Sequence, residues 1–410
     1  MKRGKNVALL MCLGFAALTA PAQESVSIEQ LEQRTANVEN AIKVLQKLKI
    51  SGYVQAQYQW GEKDASLKVG SANENSEESF DRFGVRRGRI KFAYEDGWAL
   101  GVFQLDVTEK GVGFKDAYFQ IKDPFLDSGS SLKAGIFDRP FGYEIGYSSS
   151  RRESPERSTV FQTLFPDERD LGAMLTLQTG KNSPLNFLKL EAGLFAGNGI
   201  KPETDSRKDF IGHLSANKKL NSNISFAGGV SYYNGGVWQG NENVYTMHGK
   251  NFELNSNPNN KGEFAKREYV GFDVQFAATT VLGQTKLTGE YLFGQQPGTA
   301  SSSKSPNWTA LPTGDTFIRN FNGGYAMLVQ DLGKLPVSAV LKYDFYDPNT
   351  EISGDAVTNG TDLMQDTYGF GFVWYALKNV RMQAYYEMVN KEKSDQFEGD
   401  AFTLRLEYKF

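Results

Sequence analysis

The chain has 410 residues, with 45 lysines and arginines against 48 aspartates and glutamates. Setting aside Lys2, Arg3 and Lys5 of an N-terminal leader takes the net charge from -3 to about -6, which excludes a general nucleic-acid binder and leaves any anion preference to local clusters. Its 42 glycines, 19 tyrosines and 29 phenylalanines, with a negative mean hydropathy, suit a chain that turns often and is wet on one side and apolar on the other.

Residues 1–22 carry those three cations, the apolar run Val7 to Leu18 and the small-x-small sequence Ala20-Pro21-Ala22, the pattern of a cleaved secretory signal peptide. The apolar run is too short for a membrane anchor, and no later stretch approaches the roughly 20 apolar residues of a membrane helix. The one cysteine, Cys12, lies inside the leader, with Met11 where lipid attachment needs a small residue. A lipoprotein is therefore not expected, and the mature chain has no thiol for a disulfide or a thiolate-bound metal.

Residues 24–49 place Ile28, Leu31, Thr35, Val38, Ile42 and Leu45 at alternating spacings of three and four, with no Gly or Pro between them. This predicts a short periplasmic coiled-coil helix. A lone amphipathic helix gives the same pattern, but Glu and Gln narrow the stripe and favour self-association, with a homotrimer as the natural assembly.

From residue 51 to residue 410 the period is two. Gln55, Gln57 and Gln59 share one face of the first strand, and Val54, Ala56, Tyr58 and Trp60 share the other. Strands are predicted over 51–60, 83–94, 98–107, 114–122, 131–137, 170–179, 185–196 and 209–217. The second half gives 223–234, 267–277, 284–294, 316–331, 335–347, 365–375, 379–390 and 398–410. Sixteen is an even number, so the expected fold is all-β: a 16-stranded antiparallel transmembrane β-barrel facing outer-membrane lipid.

The connections over 61–82, 138–169, 197–208, 235–266, 295–315 and 348–364 are long, and those between them, such as Glu95-Asp96-Gly97, are short. Long loops belong outside the cell and short turns in the periplasm, which puts both termini in the periplasm of a Gram-negative bacterium. The last strand alternates Phe402, Leu404, Leu406, Tyr408 and Phe410 with Thr403, Arg405, Glu407 and Lys409. A terminal outward aromatic residue is what barrel-insertion machinery recognises.

Several segments carry a resemblance: Phe83-Gly84-Val85-Arg86-Arg87-Gly88-Arg89-Ile90, Phe114-Lys115-Asp116-Ala117-Tyr118, Ala134-Gly135-Ile136-Phe137-Asp138-Arg139-Pro140-Phe141-Gly142, Pro166 to Gly172, and Lys342-Tyr343-Asp344. With these the chain resembles the phosphate-selective porin O and P family. The resemblance implies a trimeric barrel whose third extracellular loop folds inward to form the constriction.

The residues themselves point to the same loop. Asp138 to Arg169 holds Arg139, Arg151, Arg152, Arg157 and Arg169, whose planar, permanently charged forks suit phosphate or carboxylate. Strand two adds Arg87, Arg89 and Lys91 at period two, expected as a ladder along the lumen. The same loop carries Asp138, Glu144, Glu153, Glu156, Asp167, Glu168 and Asp170, so the alternative is that these arginines pair with carboxylates and set rigidity rather than bind anions. Tyr58, Trp60, Trp98, Phe103, Tyr232, Tyr291, Trp374 and Tyr385 are expected near strand ends or on outward faces.

The function expected is passive diffusion of small hydrophilic solutes, with anions such as phosphate favoured. A general or sugar-specific pore without anion selectivity, a barrel hydrolase using His213 beside Ser215, and an adhesive surface protein are the rivals. No calcium loop, phosphate-binding glycine loop or zinc spacing occurs, so neither a cofactor nor an enzymatic activity is expected.

Overall fold

A computed structural model describes residues 27–125, 129–394 and 397–410 of the chain. The leader expected over residues 1–22 lies outside the described residues. The chain divides into two units, Met1–Lys47 and Leu48–Phe410.

In the first unit, helix α1 spans Ile28–Lys47. Ser27 and Gln30 form a capping box: the Gln30 amide donates to the Ser27 hydroxyl at 3.2 Å, and the Ser27 amide donates back to the Gln30 side chain at 3.4 Å. No residue of α1 is buried, and Leu31, Val38, Ile42 and Leu45 stand open on it. The helix is shorter than the span read from the sequence because Leu48 already pairs with Tyr94 as sheet.

The second unit comprises β1 (Leu48–Gly61), β2 (Phe80–Asp96), β3 (Ala99–Thr108), β4 (Gly111–Lys122), β5 (Ser131–Asp138), α2 (Thr159–Leu164), β6 (Arg169–Leu177), β7 (Leu188–Phe195), β8 (Asp209–Lys219) and β9 (Ile224–Trp238). It continues with β10 (Asn243–His248), β11 (Asn251–Ser256), β12 (Phe264–Thr280), β13 (Gly283–Gly298), β14 (Thr316–Asp331), β15 (Val337–Asp347), β16 (Gln365–Leu377), β17 (Val380–Lys391) and β18 (Ala401–Lys409). All but β10 and β11 join edge to edge, antiparallel, into a closed ring of sixteen. Strand β1 closes it, pairing with β2 from Leu48 opposite Tyr94 to Gly61 opposite Phe80, and with β18 from Tyr53 opposite Lys409 to Gly61 opposite Ala401. Closure satisfies every strand edge, which an apolar surrounding demands.

Alternation sorts the side chains between the two surfaces. Gln55 is 0% exposed on the inside, and its neighbour Val54 is 42% exposed on the outside. Trp98, Phe103, Tyr232, Tyr291 and Trp374 face outward as the sequence predicts, whereas Tyr385 is only 2% exposed and faces inward. On β17 it alternates with Tyr386, and its ring occupies the space left by Gly369 and Gly371 of β16. Two adjacent tyrosines made the parity ambiguous.

The sequence also left the hairpin β10–β11 as loop. It rises from the connection between β9 and β12, and β10 runs parallel to the start of β14, with Val244 opposite Thr316. Tyr245 stacks on Phe317 there at 4.3 Å. Long connections gather at this end of the barrel, except for the tight turn Glu109-Lys110 between β3 and β4. The other end carries the shorter turns.

Candidate functional site

The largest apolar cluster of the second unit lies inside the ring. The connection between β5 and β6, the third loop, carries Phe141, Ile145, Val160, Phe161, Leu164 and Phe165 in an otherwise polar stretch, and these need burial. They find it against inward tyrosines of β9, β12 and β14. Phe165 packs edge-on to Tyr233 and Tyr269 at 6.2 and 5.8 Å, and Phe141 lies 4.9 Å from Phe165. The buried phenols keep partners, Tyr233 donating to Asp209 at 2.7 Å and Tyr325 to Glu290 at 2.8 Å.

Polar pins fix the rest of the loop across the lumen. The Gly142 amide donates to Ser231 at 2.8 Å, and the Tyr143 and Glu144 amides donate to Glu290 at 2.8 and 2.5 Å. The Thr159 amide donates to Asp344 at 3.1 Å. On the opposite wall, Arg381 and Gln383 of β17 donate to the Arg152 carbonyl at 3.1 and 3.0 Å, and Gln55 of β1 donates to the Ser149 carbonyl at 3.0 Å.

Glu156 meets that wall at a concentration of positive charge. Arg86 grips its carboxylate with Nε and Nη2 at 2.8 and 2.9 Å, Arg87 adds a bond at 2.7 Å, and Arg405 of β18 adds another at 2.9 Å. Burial would raise the Glu156 carboxyl, but Arg86, Arg87 and Arg405 outweigh it and hold it well below the ordinary range. Arg152, 1% exposed, shares the Pro155 carbonyl with Arg405, and its Nε and Nη1 have no hydrogen-bond partner among the described residues.

Strict alternation would turn Arg86 outward, opposite to Arg87. A bulge changes this: Gln55 pairs with Arg87 and Ala56 with Val85, so Arg86 is an extra residue whose side chain swings inward. Sequence reasoning missed Arg86 for that reason. It also passed over Arg405, although the polar face of the last strand signalled it.

The predicted residues divide as follows. Arg87 and Arg89 are buried on the inner wall, Arg89 donating to Ser149 at 3.0 Å with Asp106 at 3.4 Å. Lys91 continues this face, half-buried, toward the short-turn end. Arg139 lies over the Phe165 ring, 3.9 Å from Asp170. Arg157 pairs with Glu168 and donates to the Glu144 and Ile145 carbonyls, both at 2.9 Å. Arg169 meets Asp116 at 3.0 Å, Asp138 at 3.1 Å and Glu168 at 2.8 Å. Arg151 is exposed beside a cavity of about 300 Å³ near the short turns. The ladder and the loop thus come together around Glu156 and Glu168, while Arg139 and Arg151 stand apart.

Asp167 and Glu168 both take left-handed backbone conformations, with φ of 60° and 65°. Non-glycine residues hold this only when their surroundings insist, and here Lys115 lies 3.5 Å from Asp167 and 3.8 Å from Glu168. Burial acts to raise the Glu168 carboxyl, but Arg157, Lys115 and Arg169 hold it well below the ordinary range.

Cavities lie to both ends of the loop. One of about 420 Å³ is lined by Lys68, Glu156, Arg157, Lys304 and Glu387 toward the long loops. Another of about 710 Å³ is lined by Lys133, Tyr143, Tyr147, Lys189, His213 and Asp273 toward the short turns. In it His213 lies 3.0 Å from Asp273, in space that Gly229 leaves free. Ser215 donates to the Lys189 carbonyl at 3.5 Å, which does not assemble the nucleophile and base of a hydrolase.

Several solved structures share this architecture. The anion-selective porin of Comamonas acidovorans is 11% identical with a TM-score of 0.52, over 88% of this chain and 99% of that one. The outer membrane channel DcaP of Acinetobacter baumannii is 10% identical with a TM-score of 0.52, over 88% and 97%. OprB of Pseudomonas putida is 10% identical with a TM-score of 0.55, over 90% and 96%. At these identities the likeness is one of fold. Curated protein sequences give no match. Residues 89–410, from the middle of β2 through the last strand, match the family described as phosphate-selective porin O and P. The chain therefore belongs to that family, and its barrel is a passive diffusion channel of the Gram-negative outer membrane.

Proposed function

We propose that this channel favours small anions such as phosphate, and that it works as a homotrimer with both termini in the periplasm. The observation that carries the anion preference is the concentration of Arg86, Arg87, Arg152 and Arg405 about Glu156. Excess fixed positive charge beside a narrow, low-dielectric path raises the local anion concentration and repels cations. In this reading Arg86, Arg87, Arg152 and Arg405, with Arg89 and Lys91 further along the same wall, supply the field. Arg139, Arg157 and Arg169, tied to Asp170, Glu168 and Asp116, chiefly hold the third loop.

That same pairing supports a second reading, a general pore in which opposed charges cancel. A potassium chloride gradient across a planar bilayer decides between them. The expected reversal potential has the sign of chloride permeation, and a value near zero or of cation sign would establish the general pore.

The open apolar stripe of α1 fits a trimeric coiled coil, since a solitary helix of that length gains nothing in water from exposing Leu31, Val38, Ile42 and Leu45. The outward aromatic residues fit the headgroup levels of outer-membrane lipid. The gathering of long connections at one end supports the periplasmic placing of the termini.

A further inference from the structure

We propose that the Glu156 side chain is a tethered stand-in for a free oxyanion: Arg86, Arg87 and Arg405 form an oxyanion site that the chain itself occupies, and a tetrahedral oxyanion from solution contests it. The inference rests on the reading of this wall as anion-attracting and names what that wall binds.

The donors and the acceptor belong to different kinds of element. Arg86 and Arg87 project from β2 and Arg405 from β18, strands fixed by the closed ladder through β1. Glu156 projects from a loop. The wall side is preorganised and persists whether or not the carboxylate is in place. Arg86 presents the two-pronged fork that suits a carboxylate or phosphate edge, at 2.8 and 2.9 Å, and Arg87 and Arg405 approach from further directions at 2.7 and 2.9 Å. The four bonds divide two to each oxygen of the Glu156 carboxylate, and the same fork with guanidinium groups at its flanks also suits a tetrahedral oxyanion.

The charge balance points the same way. Three arginines bind this one carboxylate, and Arg152 stands beside them with two buried N–H donors that have no hydrogen-bond partner among the described residues, while Glu387 is a further carboxylate on the same cavity wall. Buried like charges in this ratio are costly unless a further negative group joins them. Glu156 brings a single charge, and a phosphate dianion or sulfate brings two. The site is also within reach: Glu156 lines the cavity of about 420 Å³ on the long-loop side, with Lys68 and Lys304 on the same walls, and the Arg86 side chain keeps 27% of its exposure.

The test measures how inorganic phosphate blocks chloride current through the full-length protein in planar bilayers. In Glu156→Ala the half-blocking phosphate concentration is expected to fall at least tenfold relative to the wild type, with sulfate acting likewise and nitrate not. Glu156→Asp, which withdraws the carboxylate by one methylene, is expected to lie between them, and it decides the matter if the alanine variant does not insert. Adding Arg87→Ala to Glu156→Ala is expected to bring the concentration back to within threefold of the wild type. Equal block in the wild type and both single variants, or a gain that survives loss of Arg87, overturns the proposal. Wild-type anion selectivity with no such gain sinks this inference alone, and cation selectivity in the wild type sinks the reading beneath it.

Discussion

At the scale of single residues, close packing of the barrel wall leaves sharp tests. Gly135 of β5 has φ of +126°, and a Cβ there would lie 2.2 Å from the Ala117 carbonyl oxygen on β4. Backbone shared by two strands cannot yield, so Gly135→Ala is expected to cost several kcal/mol, from about 1–3 each for the dihedral and the overlap. Gly101, with open space where its Cβ would be, is the control. Heat-modifiable migration on gels should show an earlier unfolding transition for the first variant and none for the second. The Glu156 carboxyl offers a pH test with a definite sign. Its pKa is held below the unfolded value of about 4, so its contribution is present above that value and is lost as pH falls through the depressed one. The stability difference between the wild type and Glu156→Gln should stay flat from pH 7 to 5 and shrink only below about pH 4. A difference that fades between pH 7 and 5 would show that the guanidinium groups do not control this carboxyl.

At the scale of elements, the third loop is a second packing layer held inside the ring. Its apolar half is anchored by Phe165, fully buried between Phe141, Phe161, Tyr233 and Tyr269. Phe165→Ala is expected to remove about 3–5 kcal/mol of that anchoring. The barrel ladder does not depend on it, so the variant should insert normally. Single-channel recordings should show higher and noisier conductance, and an unchanged trace would mean that the polar pins suffice. The loop's path was only partly legible. Its length and its arginines marked it, but the contacts that pin it, such as Thr159 to Asp344 and Glu144 to Lys342 at 3.2 Å, join residues far apart in the chain. No local periodicity encodes such a meeting. The bulge at Arg86 is a second case, since a one-residue register shift reverses which side chain faces the lumen.

At the scale of the whole molecule, the two units predict separable behaviour. Removing residues 23–47 takes away the open stripe of α1 and leaves the ring from Leu48 to Phe410, whose hydrogen bonds close on themselves. Conductance per barrel should be unchanged, while the steps arriving in threes, expected of the intact protein, should give way to single ones as the assembly loosens. Retention of threefold steps would assign trimerisation to the barrel wall.

All sixteen barrel strands were readable from the sequence because a wall between oil and water imposes a period of two on its strands, broken only locally at bulges, and the chain records that period. The helix at the N-terminus was readable in the same way, from its own period. What only the tertiary structure decided was the electrostatics of the lumen: that Arg157 and Arg169 are matched by Glu168 and Asp116, and that Arg152 keeps two buried N–H donors without a hydrogen-bond partner among the described residues. Charge pairing depends on which strands and loop segments meet across the ring. The alternation specifies that a side chain points inward, and the geometry of closure alone specifies what it finds there.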